Sequence, residues 1–228
     1  MENPQRLAEL SLIPYKRQKL SIIVGMLMGD ASIVKKYPKT LVLSCGAAYR
    51  DYFDFKCSIL EQLGFKGNKI RELHSKLSKG KEYLGYIRDF TNKQFEWFYN
   101  KFYKDGKRHV NLSLIRHIDS FGLALWFMDD GACNTHSGTL CLHTNAFSYK
   151  EHLVLVKWFK KKFNIDVNIN KEKKYFKLYF PFTSAKRLTQ IILPYIHTAM
   201  KYKLRWTLKR IKSESMMIEP SLDRNIKE

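Results

Sequence analysis

Two segments of the sequence share one order of residue types, and their acids Asp30 and Asp130 lie 100 positions apart. In residues 21–33 an apolar run ends at Asp30, and in residues 121–133 (FGLALWFMDDGAC) a longer run ends at Asp129 and Asp130. A carboxylate at the C-terminal end of a helix is unfavourable by roughly 0.3–1 kcal/mol, because the helix dipole is negative there. A single run of this kind usually marks a helix that reaches the surface. The second copy favours a duplicated site with a cation beside the acids.

These segments resemble the two signature motifs of the LAGLIDADG homing endonucleases. The nine-residue motif corresponds to residues 23–31 in one copy and to residues 123–131 in the other. The metal-binding acid of the family is the eighth residue, which is Asp30 in the first copy and Asp130 in the second. The resemblance covers about residues 18–205 and points to the monomeric subgroup, which carries both motifs in one chain.

The two copies differ at positions that govern helix packing. The first copy keeps Gly25 and Gly29, whereas the second carries Leu125 and Asp129. In the family the two motif helices pack side by side, so small residues permit a close approach. We expect the glycines of the first copy to make room for the larger side chains of the second.

The charge of the chain identifies the class of partner. There are 41 Lys and Arg residues against 21 Asp and Glu, which gives a formal net charge of +20. Such an excess favours a polyanionic partner, either nucleic acid or an anionic membrane. No stretch approaches about 18 uninterrupted apolar residues, and the N-terminus lacks the order of a signal peptide. We therefore expect nucleic acid as the partner and no membrane association. The expected location is intracellular, in an organelle (mitochondrion or chloroplast) or in a bacterial or phage cytoplasm.

The predicted elements occur twice in the same order, which indicates an internal repeat of about 100 residues. The segment TLCLHTN (139–145) echoes TLVLSCG (40–46). Helical spacing and capping signals predict helices at residues 5–12, 18–29, 49–63, 93–103, 119–129, 148–163, 184–193 and 203–213. Alternation and turn signals predict strands at residues 32–36, 40–45, 68–74, 83–90, 166–170 and 174–180.

The fold class predicted from this order is α+β, with two pseudo-symmetric αββαββα repeats. The predicted divisions are an N-terminal repeat at 1–103, a linker at 104–118 and a C-terminal repeat at 119–228. The C-terminal repeat includes the basic helix at 203–213, and the polar tail from Ser213 is expected to fray. The resemblance implies that the motif helices form the interface between repeats and that the sheets form a DNA-binding saddle.

Alternation in the last predicted strand suggests a nucleic-acid surface. Tyr175, Lys177 and Tyr179 point one way, and Asn168 and Asn170 alternate with apolar residues in the preceding strand. If one face of the sheet is buried, these polar side chains share the open face, which is either a merely solvated surface or a DNA-reading one. A two-stranded ribbon fits the DNA major groove. Combined with the resemblance, the candidates for DNA contact are Lys35, Arg71, Arg88, His143, Asn168, Asn170, Tyr175, Lys177 and Tyr179.

Phosphodiester hydrolysis needs an activated water and stabilisation of the charge on the leaving oxygen, which divalent metals supply. Mg²⁺ prefers oxygen ligands and needs only one or two carboxylates in addition to substrate phosphates. The resemblance implies that Asp30 and Asp130 bind Mg²⁺, which Mn²⁺ can replace, and that each acid serves one DNA strand. The backbone carbonyls of Ala31 and Gly131 are further candidate ligands. Asp129 is either a solvated acid at the helix end or an acid packed against the partner helix.

The resemblance also implies two active-site lysines. Lys107 occupies the position in the basic segment before the second motif, and Lys203 occupies the one in MKYKL. Each would position or deprotonate the water or steady the phosphate, and the alternative for each is an ordinary phosphate contact or surface charge. Asn145 fits the polar side chain that the family places near the metal from the second strand, whereas its counterpart is Gly46. This difference predicts that the two half-sites are not chemically equivalent.

The leading hypothesis is a monomeric, site-specific homing endonuclease, encoded within an intron or intein-like element. By resemblance, it cuts both DNA strands across the minor groove and leaves short 3′ overhangs. One alternative is an RNA-binding maturase that assists group I intron splicing, with the host intron RNA as partner. Others are a DNA-binding regulator with an inactive site and a generic basic helical protein. Retention of both acids favours the nuclease, because a carboxylate facing phosphate without a metal is repelled.

Overall fold

The computed structural model describes residues 15–36, 40–76 and 82–218. The chain divides into two compact units at the bond between Asp129 and Asp130. The helix predicted at 5–12 lies outside the described residues. The predicted limits of the repeats and linker stay a prediction.

The first unit contains five helices and seven strands in the described ranges. Its helices are α1 (Tyr15–Met28), α2 (Arg50–Gln62), α3 (Gln94–Phe102), α4 (Leu112–Ile115) and α5 (Ser120–Asp130), of which α5 ends at the division. Its strands are β1 (Ser32–Lys36), β2 (Thr40–Ala47), β3 (Lys66–Gly67), β4 (Arg71–Lys76), β5 (Glu82–Thr91), β6 (Tyr103–Lys104) and β7 (Lys107–Arg108).

The second unit repeats the order of helices and paired strands. Its elements are β8 (Gly131–Cys133), β9 (Leu140–Leu142), α6 (Tyr149–Phe163), β10 (Asn168–Glu172), β11 (Tyr175–Phe180), α7 (Phe182–Ile192), two 3₁₀ segments (Leu193–Tyr195 and Thr198–Leu204) and α8 (Arg205–Ile218). The predicted α+β class with two repeated halves is confirmed. None of the helices in the described ranges is long and apolar enough to cross a membrane.

The last helix differs from its prediction. It was expected to end at Ser213, but α8 continues to Ile218. Glu214 forms an ion pair with Arg210 one turn earlier, at 3.6 Å, and such pairs stabilise a helix. The Ser213 hydroxyl donates to the Lys209 carbonyl at 3.1 Å. The polar side chains of this segment therefore have partners within the helix. The final residues, 219–228, lie outside the described ranges.

The first sheet is antiparallel and has the order β1-β2-β5-β3, with β4 also paired to β5. Directly opposite residues share one face, and Ile33, Leu43 and Phe90 form a buried row. Helices α2 and α3 pack against this face. The opposite face carries Ser44 and Asp89, which also lie opposite each other. This register decides which basic side chains lie on the open face.

The second sheet is antiparallel and has the order β10-β11-β9-β8. Leu142 and Leu178 lie opposite each other in its buried face, against which α6 and α7 pack. Helix α6 begins with a capping box in which Ser148 and Glu151 bond to each other's backbone. Strand β9 has three residues, whereas β2 has eight. The similarity between TLCLHTN and TLVLSCG therefore does not extend to equal strand lengths.

The two motif helices α1 and α5 meet at glycines within the first unit. A side chain on Gly25 would collide with the backbone of Gly122, and one on Gly122 would collide with Ser21. A Cβ on Gly29 would lie 2.7 Å from the Cβ of Asp129. The expectation that first-copy glycines make room for larger side chains is therefore confirmed at Gly29. At Gly25 the group accommodated is backbone.

A side-chain pair fixes the start of α5 against α1. The Ser21 hydroxyl donates to Asp119 Oδ1 at 2.6 Å, and the Asp119 backbone N–H donates back to Ser21 Oγ at 2.9 Å. The same carboxylate oxygen accepts from the backbone N–H groups of Phe121 and Gly122, each at 3.0 Å. Asp119 thus caps α5 in the usual manner of an N-terminal Asp.

Candidate active site and nucleic-acid interface

Asp30 lies in the turn that follows the C-terminal end of α1, and it is exposed. Carbonyl groups at the end of a helix make that region negative, so an additional carboxylate there favours a bound cation. The described residues contain no group of three or more His, Cys, Asp or Glu that could hold a metal. The Asp30 carboxylate is a hard oxygen donor, the type of ligand that Mg²⁺ prefers.

Asp129, the residue before the motif acid, is a buried side chain with three donors. Its carboxylate is 1% exposed. Oδ1 accepts from the Tyr52 hydroxyl and from Lys56 Nζ, each at 2.9 Å, and Oδ2 accepts from the backbone N–H of Asp30 at 3.1 Å. Of the two alternatives for this acid, the packed one is correct. Through these contacts, Asp129 connects the end of α5 to α2 and to the turn that carries Asp30.

Lys56 is completely buried and completes this cluster. Besides Asp129, its ammonium group donates to the Gly46 carbonyl at 2.7 Å. Burial disfavours the charged form of Lys56, but the negative charge of Asp129, its hydrogen bond to Lys56 and the charges of Cys45 and Asp30 together more than offset this, so the pKa of Lys56 is raised. Burial and the Asp129 charge hold the pKa of Tyr52 well above its usual value. At neutral pH the cluster therefore contains a charged lysine and a protonated tyrosine.

Arg108, which the sequence analysis did not single out, contacts the C-terminal end of α1. Its Nη1 donates to the carbonyls of Leu27 at 2.6 Å, Gly29 at 2.7 Å and Ala31 at 3.3 Å. The Ala31 carbonyl, a candidate metal ligand, thus already faces a guanidinium, and a second cation there would be repelled. Lys107, the lysine singled out by resemblance, is exposed in the neighbouring position of β7.

The second motif acid, Asp130, lies in the second unit and is half-exposed. Its backbone carbonyl accepts from the His143 backbone N–H at 3.0 Å. The pKa of His143 is lowered by burial and then by Lys177, with Lys203 contributing in the same direction, while Glu172 opposes the shift. Lys177 and Lys203 therefore both lie within electrostatic range of His143.

Two further candidates of the second unit, Gly131 and Asn145, lie next to Asp130 and near His143 in the sequence. Gly131 pairs with Leu142 at the start of β8, so its backbone belongs to the sheet. Asn145 is exposed, but it lies in the turn after β9 and not in the strand itself.

The open face of the second sheet brings five predicted DNA-contact residues together. Asn168 lies opposite Tyr179, and Asn170 lies opposite Lys177. Tyr175 lies on the same face and is 43% exposed. Lys177 donates to Glu172 at 2.6 Å, and this hydrogen bond raises the pKa of Lys177. A phosphate that binds Lys177 would have to compete with this carboxylate.

On the first sheet the structure separates the predicted basic residues. Arg71 lies on the open face and donates to Asp89 at 2.9 Å. Lys36, which the sequence interpretation did not select, also lies on that face, with Nζ 3.5 Å from the Asp89 carboxylate. The open face therefore carries two cations around one buried acid, an arrangement that was missed because Asp89 lies 18 positions from Arg71 and 53 positions from Lys36 in the sequence.

Arg88 and Lys35 lie on the opposite, helix-covered face. Arg88 pairs across the sheet with Cys45, donates to Glu61 at 2.5 Å and donates to the Asn68 carbonyl at 2.7 Å. Lys35 shares the face of buried Ile33, and its Nζ lies 5.4 Å from the centre of the Tyr99 ring. Strand alternation from Ile33 is the sequence signal that indicates which face of the sheet Lys35 occupies.

The chain is similar to known proteins both in sequence and in structure. The sequence model described as the LAGLIDADG DNA endonuclease family matches residues 20–188. The cytochrome b mRNA maturase bI2 of Saccharomyces cerevisiae is 31% identical over 205 residues, covering 84% of this chain and 48% of the maturase. The chain thus spans about half the length of that relative. A probable intron-encoded DNA endonuclease 3 of Mycosarcoma maydis is 30% identical over 124 residues, covering 52% of this chain and 91% of that protein.

A solved structure shares the fold. The homing endonuclease I-WcaI bound to its DNA recognition sequence superposes with a TM-score of 0.74 at 23% identity, covering 84% of this chain and 88% of that one. The resemblance predicted from the two motifs is confirmed by the family match, which extends across most of the chain. The chain therefore belongs to the LAGLIDADG DNA endonuclease family.

Proposed function

We propose that this protein is a metal-dependent endonuclease that cuts both strands of a long, specific DNA site. The observation that carries the proposal is the pair of motif acids, Asp30 exposed after α1 and Asp130 half-exposed at the end of α5. They occur in a chain of net charge +20, which attracts a polyanion. Carboxylates approaching a phosphate backbone need a cation between them, and that cation is what phosphodiester hydrolysis uses.

Asp30 and Asp130 would each hold a metal ion for one of the two strands. Bound Mg²⁺ or Mn²⁺ would supply an activated water and stabilise the charge of the leaving oxygen. Lys107 and Lys203 would steady the scissile phosphate, and the exposed Asn145 would orient the water in the second half-site. The Gly131 carbonyl stays a candidate ligand, whereas the bond from Arg108 argues against the Ala31 carbonyl. The family resemblance supports a cut across the minor groove with short 3′ overhangs.

The open faces of the sheets would contact the DNA. On the second sheet, Asn168 and Asn170 can read adenine edges, and Lys177 can contact guanine or phosphate. Tyr175, Tyr179 and His143 would line the same surface. On the first sheet, Arg71 and Lys36 are the proposed contacts. Lys35 and Arg88 are omitted because they lie on the helix-covered face.

We propose that the protein acts as a monomer, because one chain carries both motifs. Relatives described as intron-encoded endonucleases support an origin within an intron. A second function, assistance of intron RNA splicing, is favoured by the yeast maturase, which matches 84% of this chain. The two functions predict different substrates for the same basic protein.

Cleavage of the uninterrupted host-gene sequence, the site at which the intron inserts, tests the proposal. A linear duplex of that sequence is incubated with the wild type and with Asp130→Asn, in Mg²⁺ and in EDTA. We expect Mg²⁺-dependent double-strand cutting that the variant loses. Asp166→Asn is the matched control, because its carboxylate is 75% exposed and pairs with the surface residue Lys160. Specific binding without cutting, together with accelerated intron splicing, would favour the maturase function.

A further inference from the structure

We infer that Tyr52 and Lys56 are positioning residues that act through Asp129 to hold Asp30 in the geometry its metal requires. This inference rests on the proposed function, because it concerns the same metal site. Asp30 itself would touch the ion. Asp129 would act through the Asp30 backbone, and Tyr52 and Lys56 would act through Asp129.

The cluster links α5 to α2 and to the turn after α1 through the Asp129 carboxylate, and it links α2 to β2 through Lys56. Asp129 at the end of α5 accepts from Tyr52 and Lys56 of α2 at 2.9 Å each, and from the Asp30 N–H after α1 at 3.1 Å. Lys56 also bonds to the Gly46 carbonyl of β2 at 2.7 Å. The Lys56 and Asp129 side chains are 0% and 1% exposed. The backbone at Asp30 therefore cannot shift without breaking its hydrogen bond to the buried Asp129 carboxylate.

The turn that carries Asp30 is also held by Arg108. This guanidinium bonds to the Leu27, Gly29 and Ala31 carbonyls, which flank the Asp30 peptide on both sides. The Asp30 N–H is held by Asp129, and the neighbouring carbonyls are held by Arg108. Groups that orient metal ligands in this way typically change metal affinity or activity by about 10–100-fold when removed.

Stability alone is a weak reason for a buried ion pair. Apolar residues of similar volume often replace such pairs at no cost in stability, whereas removing one partner leaves an uncompensated charge. The chain also lacks a side chain at Gly29, where a Cβ would lie 2.6 Å from Asp129 Oδ2. The local sequence thus makes room for a carboxylate that reaches the Asp30 amide.

This support is asymmetric between the motif copies. Asp129 and Gly29 occupy equivalent positions, each directly before the motif acid. Because Gly29 has no side chain, it cannot offer Asp130 the bond that Asp129 offers Asp30. Loss of the cluster should therefore affect the half-site of Asp30 more than that of Asp130.

Two variants separate positioning from folding. Lys56→Met alone leaves Asp129 buried without its main counter-charge and is expected to unfold the protein. The double variant Lys56→Met/Asp129→Leu removes both charges and keeps the apolar volume, so we expect it to fold. Tyr52→Phe removes one hydrogen bond and keeps the ion pair. The control is Lys160→Met/Asp166→Leu, which removes an exposed pair whose atoms lie 2.8 Å apart.

The measurements are thermal unfolding, DNA affinity in EDTA, calorimetric Mn²⁺ binding to the protein–DNA complex, and the cleavage rate of each strand. We expect the double variant to unfold at a temperature close to that of the wild type and to bind DNA normally. Its Mn²⁺ affinity should fall by about 10–100-fold at one site. Of the two DNA strands, the double variant should cut more slowly the one whose cleavage Asp30→Asn reduces most. Tyr52→Phe should show the same pattern with a smaller change.

Unchanged Mn²⁺ affinity and strand rates in the folded double variant would overturn this inference and leave the proposed function intact. Equal slowing of both strands, in proportion to lost folded protein, would overturn it as well, because that result describes a structural role only. If the wild type cuts neither strand, the proposed function fails first, and the positioning role fails with it.

Discussion

The Asp129 carboxylate lies where a side chain of Gly29 would otherwise be, with Oδ2 2.6 Å from the position of a Cβ on that glycine. These two residues are equivalent in the duplicated motif, but one is buried as an ion-paired acid and the other has no side chain. The difference between Gly29 and Asp129 therefore has two consequences. It permits the close packing of α1 and α5, and it allows Asp129 to bond to the Asp30 backbone.

Gly29→Ala should destabilise the first unit. The added Cβ would meet the Asp129 side chain and force either that side chain or the α1 turn to move, a change that typically costs about 1–3 kcal/mol. Gly25→Ala should cost more, because it meets the backbone of Gly122, which cannot rotate away. Urea denaturation of both variants measures the two losses. Equal or negligible losses would contradict the packing described for α1 and α5.

Lys36→Ala and Lys35→Ala should affect DNA binding differently, although the residues are adjacent. Lys36 lies on the open face of the first sheet, and Lys35 lies on the face that the helices cover. Each lost phosphate contact reduces the slope of log affinity against log salt by about 0.9. We expect that reduction for Lys36→Ala and little change for Lys35→Ala. Filter binding across a salt series measures both slopes. A reduced slope for Lys35→Ala and an unchanged slope for Lys36→Ala would contradict DNA binding on the open face of this sheet.

His143 should make stability fall on mild acidification. Its pKa is lowered in the folded protein by burial, Lys177 and Lys203, against the opposing effect of Glu172. The folded state therefore binds fewer protons than the unfolded chain below the unfolded value of 6.5. Its contribution to stability is complete above that pH and is lost as the pH falls through the folded pKa. Denaturation curves from pH 7.5 downwards should show a smaller loss for His143→Gln, whereas identical losses would exclude this residue as the cause.

The two motif acids should not be interchangeable. Asp30 is held by the Asp129 cluster, and the polar residue Asn145 of the second half corresponds to Gly46 in the first. We expect Asp30→Asn and Asp130→Asn to leave different residual rates on the two DNA strands. Strand-specific end labels on one duplex resolve those rates. Equal single-strand nicking by both variants would argue against inequivalent half-sites.

Sequence periodicity was sufficient for the repeated order of helices and strands, because the buried faces have clear helical or alternating patterns. The motif acids Asp30 and Asp130 could likewise be selected from their position after apolar runs. The partners of Asp129 could not, because Lys56 lies 73 positions away and nothing local marks the contact. The orientation of Arg88 depends on strand register, which the sequence does not specify for a half-buried basic residue.

We expect the two motif acids to support metal-dependent cutting of duplex DNA. The most direct measurement is the amount of linear product from a target duplex in Mg²⁺, with wild type, Asp30→Asn, Asp130→Asn and the surface control Asp166→Asn. We expect double-strand cutting by the wild type and the control, no cutting in EDTA, and loss of the double-strand product in both motif variants. Cutting that persists in EDTA, or that survives in the motif variants, would contradict it.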